Sequence, residues 1–220
     1  RQYLYGYMAT MTGAEIEVSN DRYFRTSELL CCLTDTPRTN LNYYYPKISR
    51  PYRYVRFTPP PPAYPTADCR AEIAELAFFD SVDSEEHLPS KAIYGGGPVD
   101  ENPAHDIDKA CDDDWLTFYY SSGPRDSIVL DLQRASTIKK VLFVPRNDDN
   151  FITPGNVYEL FYQSGVKGWI SLGVQTATTN ELVYRNIPEG ALLWLRNLTR
   201  GKEEQVFYVE NGEQKFVGYE

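Results

Sequence analysis

Histidine is scarce in this chain. Of 220 residues only His87 and His105 are histidine, and neither an HExxH zinc-protease pattern nor a GxSxG nucleophile elbow is present. HExxH metalloprotease chemistry is therefore absent, and nucleophilic catalysis is not expected. Cysteine is sparse as well: Cys31, Cys32, Cys69 and Cys111 form no CxxC pair, so zinc-ribbon and dithiol redox readings fall away. The vicinal pair could bridge to itself only under strain. Buried free thiols are the reading, with a Cys32–Cys69 bridge as the alternative. Basic residues are outnumbered, 22 Lys and Arg against 31 Asp and Glu for a formal charge of -9. With no Lys/Arg cluster, that excludes a nucleic-acid partner, whose backbone needs a basic footprint. Long apolar runs are also missing. Residues 141–144 and 191–195 fall far short of the ~20 residues a membrane helix needs, so no membrane insertion is expected. The sequence opens at Arg1 with neither an initiator Met nor a secretory leader and reads as a fragment of a mature chain.

What the chain has in quantity is aromatic residues, 18 Tyr and 10 Phe, which suit a pleated, half-buried surface. Short alternating runs predict strands at residues 15–18, 28–33, 52–57 and 73–79, then at 127–132, 138–144, 158–162, 169–172, 182–184 and 191–195. Gly, Pro, Asn and Asp turns separate them, as in a sandwich or barrel. No segment of ten residues in the C-terminal half keeps a clean 3.6-residue period. Residues 58–66 hold five prolines, which cannot enter a sheet interior and predict a surface loop or polyproline segment. The acidic, serine-containing stretch 81–90 reads as a linker. The expected organisation is a partial or reduced β-sandwich domain at 1–80, that linker, and a larger antiparallel β-sandwich at 91–220. Trp169 and Trp194 alternate within strands and are expected in its core, while Tyr43-Tyr44-Tyr45 is a candidate sticky patch or inter-domain cap.

The order of motifs in 91–220 supports a resemblance. Ala110-Cys111-Asp112-Asp113-Asp114-Trp115-Leu116-Thr117-Phe118-Tyr119 is followed by Ile128-Val129-Leu130-Asp131-Leu132. Next come Ile138 to Val141, Pro145-Arg146-Asn147-Asp148-Asp149-Asn150-Phe151-Ile152, Tyr158 to Tyr162, Gly168-Trp169-Ile170-Ser171-Leu172-Gly173, and Leu193 to Thr199 with Gly201-Lys202-Glu203-Glu204. This series resembles the discoidin, or factor V/VIII type C, domains, and is close to family 32 carbohydrate-binding modules of secreted polysaccharide-processing proteins from gut bacteria. Tyr52 to Phe57 and Ile73 to Phe78 resemble the end of another such domain, as in tandem arrays. The resemblance implies an all-β, galactose-binding-like jelly roll in a secreted, periplasmic or cell-surface protein. On that bacterial reading the Asn197-Leu198-Thr199 glycosylation pattern carries no meaning.

Two loops hold the candidate chemistry. Asp112, Asp113, Asp114 and Thr117 gather hard oxygen donors, which suits calcium. The resemblance implies a structural calcium on Asp112, Asp114, Thr117 and Glu203, with Glu204 as the alternative last ligand. Two residues depart from the family pattern: Asp113 stands at its glycine, a position that favours left-handed backbone, and Cys111 at its aromatic. A solvated acidic turn without metal is the alternative. In the second loop, Arg146, Asn147, Asp149 and Asn150 offer planar polar groups that bridge sugar hydroxyls, and Trp115, Tyr119, Tyr120 and Phe151 offer aromatic faces for a pyranose ring. Alternatively, Arg146 pairs with Asp148 or Asp131 and the Asn/Asp run is a turn former.

The expected function is a non-catalytic, monomeric module that targets a larger glycan-processing protein to a glycan or polysaccharide. A structural or protein-adhesion spacer is the alternative, since fold alone does not decide ligand class. A glycoside hydrolase, needing only two carboxylates such as Asp112 with Glu159, ranks behind both.

Overall fold

The computed structural model describes residues 11–35, 40–61, 69–98, 100–203 and 206–217, without the side chains of Lys202 and Glu203. Two compact units divide between Asp149 and Asn150. The first holds nine strands: β1 (Glu15–Ser19), β2 (Glu28–Cys32), β3 (Asn42–Tyr44), β4 (Tyr52–Thr58), β5 (Glu72–Phe79), β6 (Lys91–Tyr94), β7 (Tyr119–Tyr120), β8 (Ile128–Ser136) and β9 (Lys140–Pro145). They form a five-stranded sheet, β2-β1-β4-β8-β6, and a four-stranded sheet, β3-β9-β5-β7. All their pairings are antiparallel, so the unit is an all-β antiparallel sandwich.

The two sheets share one core. Val55, Phe57, Ile128 and Leu130 from the first meet Ile73, Leu76, Phe78 and Phe143 from the second. Phe57 and Phe143 stack across the interior with ring centres 5.7 Å apart, an aromatic contact that contributes ~0.5–1.5 kcal/mol beyond its area. The four-stranded sheet is buried on its other face too, where Ala74, Ala77, Phe79, Leu142 and Val144 lie beneath Leu41, Trp115 and Phe118. Burial on both faces explains why β5 and β9 read as nearly unbroken apolar runs.

The expected boundary near residue 85 does not divide the structure. β4 pairs with β8 and β5 with β9 across it, so residues before and after it complete the same sheets. The acidic stretch is accordingly anchored: Leu88 is buried and donates to Phe78 O at 2.6 Å, and Ser84 O accepts from Lys140 Nζ at 2.6 Å. The Pro-rich stretch begins with Pro59 and Pro60 buried against the sandwich rather than on its surface, and residues 62–68 lie outside the described residues. All four cysteines are free thiols, and burial pushes the Cys31 thiol up to about 12 and that of Cys111 to about 11.

The unit from Asn150 onward is one sheet. Its strands are β10 (Val157–Gln163), β11 (Trp169–Thr176), β12 (Leu193–Asn197), β13 (Lys202–Glu203), β14 (Phe207–Glu210) and β15 (Glu213–Phe216), in the order β11-β10-β12-β14-β15 with β13 on β12. Residues 182–184 form no strand. Tyr184 instead donates its hydroxyl to Tyr158 O at 3.4 Å. Tyr158, Leu160 and Leu193 are buried on one face of this sheet. Trp169 and Trp194, expected in the core, lie on the other: Trp194 pairs directly with Phe161, and Trp169 with Gln163. Both therefore lie on the face opposite the buried Tyr158, Leu160 and Leu193, because successive side chains of a strand alternate between faces.

Candidate ligand site

The outer side of the four-stranded sheet carries the acidic loop. A register shift between Ile73 and Glu75 marks a bulge in β5, which re-aims side chains by inserting one residue. Ile73, Leu76 and Phe78 stay in the shared core while Ala74 and Ala77 join the outer cluster. Glu75, only 2% exposed, accepts the Asp113 N–H at 3.0 Å. Burial, reinforced by the nearby Asp113 and Asp112 charges, pushes its carboxyl up to about 8 against the Asp113 hydrogen bond.

Two short 3-10 turns feed the loop, the first capped by Asn102 and the second by Asp106. Asp112 then acts as the hub. Both its carboxylate oxygens lie 3.0 Å from Thr117 Oγ1, and it accepts from Asp114 N at 3.2 Å and Lys109 Nζ at 3.2 Å. Thr117 Oγ1 is also 3.0 Å from Asp114 O, so one hydroxyl proton serves three acceptor oxygens. Lys109 supplies the positive charge on the described side of this cluster, and carboxylate, hydroxyl and main-chain oxygens are the ligand types a hard cation takes. The Asp114 carboxylate itself turns away to cap Leu116 N at 3.0 Å. Glu203 lies in β13, but its side chain, like all of Glu204, is outside the described residues. Among the described residues no three His, Cys, Asp or Glu side chains are grouped to hold a metal, so oxygen of other kinds would have to complete a shell.

Asp113 takes the left-handed backbone, φ 62°, that glycine adopts most easily. Its carboxylate reaches His87 Nε2 at 2.9 Å. The other His87 nitrogen lies 2.9 Å from Leu88 O, and the ring meets Phe79 edge-on at 6.3 Å. The segment expected to be a linker therefore braces the acidic loop.

Arg146 leaves the end of β9 and donates its backbone N–H to Glu72 O at 3.1 Å. Its guanidinium lies 4.3 Å from the Phe118 ring centre and 5.9 Å from that of Tyr120, a cation–π arrangement. It pairs with Asp148 at 2.9 Å and Glu72 at 3.5 Å. Asp131, the other expected partner, binds Arg53 at 2.8 Å instead. His105 stacks on Phe118 at 4.3 Å and is held by Asp100 at 2.8 Å.

Of the expected ligand residues, Arg146 and Tyr120 meet at this half-buried surface. Trp115 is half-buried too, against the outer cluster. Asn147 is 1% exposed and its amide is consumed locally, donating to Trp115 O at 2.9 Å and Pro145 O at 3.2 Å and accepting from Asp149 N at 2.9 Å. It ties the two loops together and has no free edge for a ligand. Asp148 and Asp149 sit at φ 48° and 59°, consistent with a turn. Tyr119 is fully buried in the sandwich core with its hydroxyl donating to Gly96 O at 3.1 Å, so its ring presents no face. Asn150 and Phe151 belong to the other unit.

Glu72, Glu75, His87, His105 and Phe118 were not among the expected site residues. Glu72 and Glu75 left a signal, since carboxylates inside an otherwise apolar strand ask for partners. The histidines left none, because the loop residues they meet, Phe118 and Asp113, lie 13 and 26 residues away in sequence. Comparison with known proteins finds no matching family model, no matching curated protein and no matching solved structure.

Proposed function

We propose that this chain is a non-catalytic glycan-binding module of the discoidin-like, galactose-binding type, acting as a monomeric appendage of a larger secreted or surface-bound glycan-processing protein. The observation that carries the reading is the Arg146 guanidinium 4.3 Å from the Phe118 ring centre, beside Tyr120 and Asp148. A planar donor fork, a carboxylate and the half-buried Tyr120 ring at one surface are what a pyranose ring engages, the first two through hydroxyls and the third through its C–H patch, while Phe118, packed by His105 and Arg146, supports them. Acid is not outweighed at this surface, with Glu72 and Asp148 set against Arg146 and Asp100 against His105, which favours an uncharged glycan over a sulfated or uronic one.

Calcium on Asp112, Thr117 and the Asp114 carbonyl belongs to the same proposal. A bound cation would supply positive charge to the crowded oxygens. The chain's own contribution is to hold the loop, through Thr117, Lys109 and the Glu75–Asp113 contact, so that Trp115 and Phe118 stay on the outer cluster.

The spacer reading has one observation in its favour: Arg146 is already paired with two carboxylates, as a purely structural arginine would be. The glycosidase reading asks for a raised carboxyl open to substrate, whereas Glu75, the raised carboxyl here, is sealed beneath the loop. Binding of the intact chain to immobilised glycans, with Arg146→Ala in parallel, separates the first two readings. Retention lost in the variant supports glycan binding, and a folded chain that retains no glycan supports the spacer.

A further inference from the structure

The exposed face of the β10–β11–β12 sheet carries an aromatic cluster that the loop site does not use. Trp169 in β11 and Phe161 in β10 both face Trp194 in β12, with ring centres 5.6 Å and 5.5 Å from it. Trp169 is 37% exposed. Glu159 and Arg196 are direct cross-strand partners on this face, and Arg196 Cζ lies 5.3 Å from the Trp194 ring centre. Gln163 is the partner of Trp169, and Ser171 that of Phe161.

Cross-strand aromatic pairs stabilise sheets by ~0.2–1 kcal/mol each, which accounts for Phe161 against Trp194 on neighbouring inner strands. It does not account for Trp169. That indole stands on the edge strand, more than a third open to water, with the Gln163 amide as its direct cross-strand partner and, among the described residues, only the Trp194 ring, two strands away, in aromatic contact.

We propose that Trp169, Phe161 and Trp194 form a second carbohydrate-contact surface that takes the apolar faces of pyranose rings in a soluble, uncharged glycan chain. This rests on the glycan-binding reading above. Charge supports the class of ligand, because Arg196 pairs directly across the strands with both Glu159 and Glu203 while Gln163 and Ser171 are neutral, so base does not exceed acid at these positions on a chain of -9 and an anionic glycan is disfavoured. Chemistry supports it too, since flat apolar rings are bordered by a guanidinium and an amide able to bridge neighbouring hydroxyls. Geometry selects the form of the glycan: the rings are inclined to Trp194 by 54° and 36°, so they share no plane. Inclined rings suit one twisting chain and not the flat surface of a crystalline polysaccharide.

The test titrates the intact chain with soluble hexasaccharides of glucose, mannose, galactose, xylose and N-acetylglucosamine, read by calorimetry and tryptophan emission. At least one should bind, roughly tenfold more weakly to Trp169→Leu, while Trp169→Tyr stays within about threefold of the parent. A hexasaccharide bound equally by the parent and Trp169→Leu overturns this surface and leaves the glycan-binding reading standing. No binding by the folded parent overturns both, and retention on crystalline cellulose or chitin alone overturns the soluble-chain assignment. If Trp169→Leu does not fold, N-bromosuccinimide oxidation of the parent decides: bound hexasaccharide should slow the loss of Trp169, and an unchanged rate overturns the proposal.

Discussion

The Arg146 guanidinium lies 4.3 Å from the centre of the Phe118 ring, joining the end of β9 to the acidic loop. Glu72 and Asp148 pair with the cation, and the Phe118 ring packs against it.

Arg146→Lys tests that geometry with charge conserved. Lysine keeps a point charge for Glu72 and Asp148 but loses the planar fork and the stacked face. Glycan retention on an affinity gel should fall while the thermal midpoint stays close to that of the parent. Full retention by the lysine variant would show that charge alone suffices.

Stability should fall with rising pH because of Glu75. Its folded carboxyl is pushed up to about 8 from the ordinary 4.5 of a glutamate, so between those values the folded chain holds a proton that the unfolded chain has released. The stabilising contribution is complete below the unfolded value and is lost as pH rises through that window, by up to about 5 kcal/mol. Urea unfolding at intervals from pH 4.5 to 8.5 should show this slope in the parent and a shallower one in Glu75→Gln. Identical slopes would contradict the buried-acid assignment.

Asn147→Ala should cost ~1–3 kcal/mol, since it leaves Trp115 O and Asp149 N without their partner in a buried setting. Denaturant unfolding measures the loss. A change within error would mean that water or a neighbouring group takes over both contacts.

Asp112→Ala tests the hub of the acidic loop. It removes the acceptor for Thr117, Asp114 N and Lys109 together, and a destabilisation of ~1–3 kcal/mol is expected. Added calcium should raise the thermal midpoint of the parent and leave that of the variant unmoved, because a ligand stabilises only the state it binds. Equal calcium responses in both proteins would remove Asp112 from the site.

Strands were legible where burial imposes a pattern. Tyr52 to Phe57 and Ile73 to Phe79 became β4 and β5, and Ile138 to Val144 became most of β9. The domain boundary was not legible, because composition at 81–90 is local whereas the pairing of β4 with β8 and β5 with β9 joins distant residues. The acidic loop could be located from its oxygen donors, and Arg146 from its polar run. The roles within those groups could not: whether Asn147 faces a ligand or closes on Trp115 O depends on how two loops meet. Trp169 and Trp194 show the same limit, since alternation assigns residues to a face but does not say which face meets water.

The most direct test is a glycan-array screen of the intact chain, with calcium and with a chelator, beside Arg146→Ala of matched thermal unfolding. The account predicts that the parent is retained on uncharged glycans, more weakly under chelation, and that the variant is not. A well-folded parent that retains no glycan, or a variant retained as strongly as the parent, would contradict it.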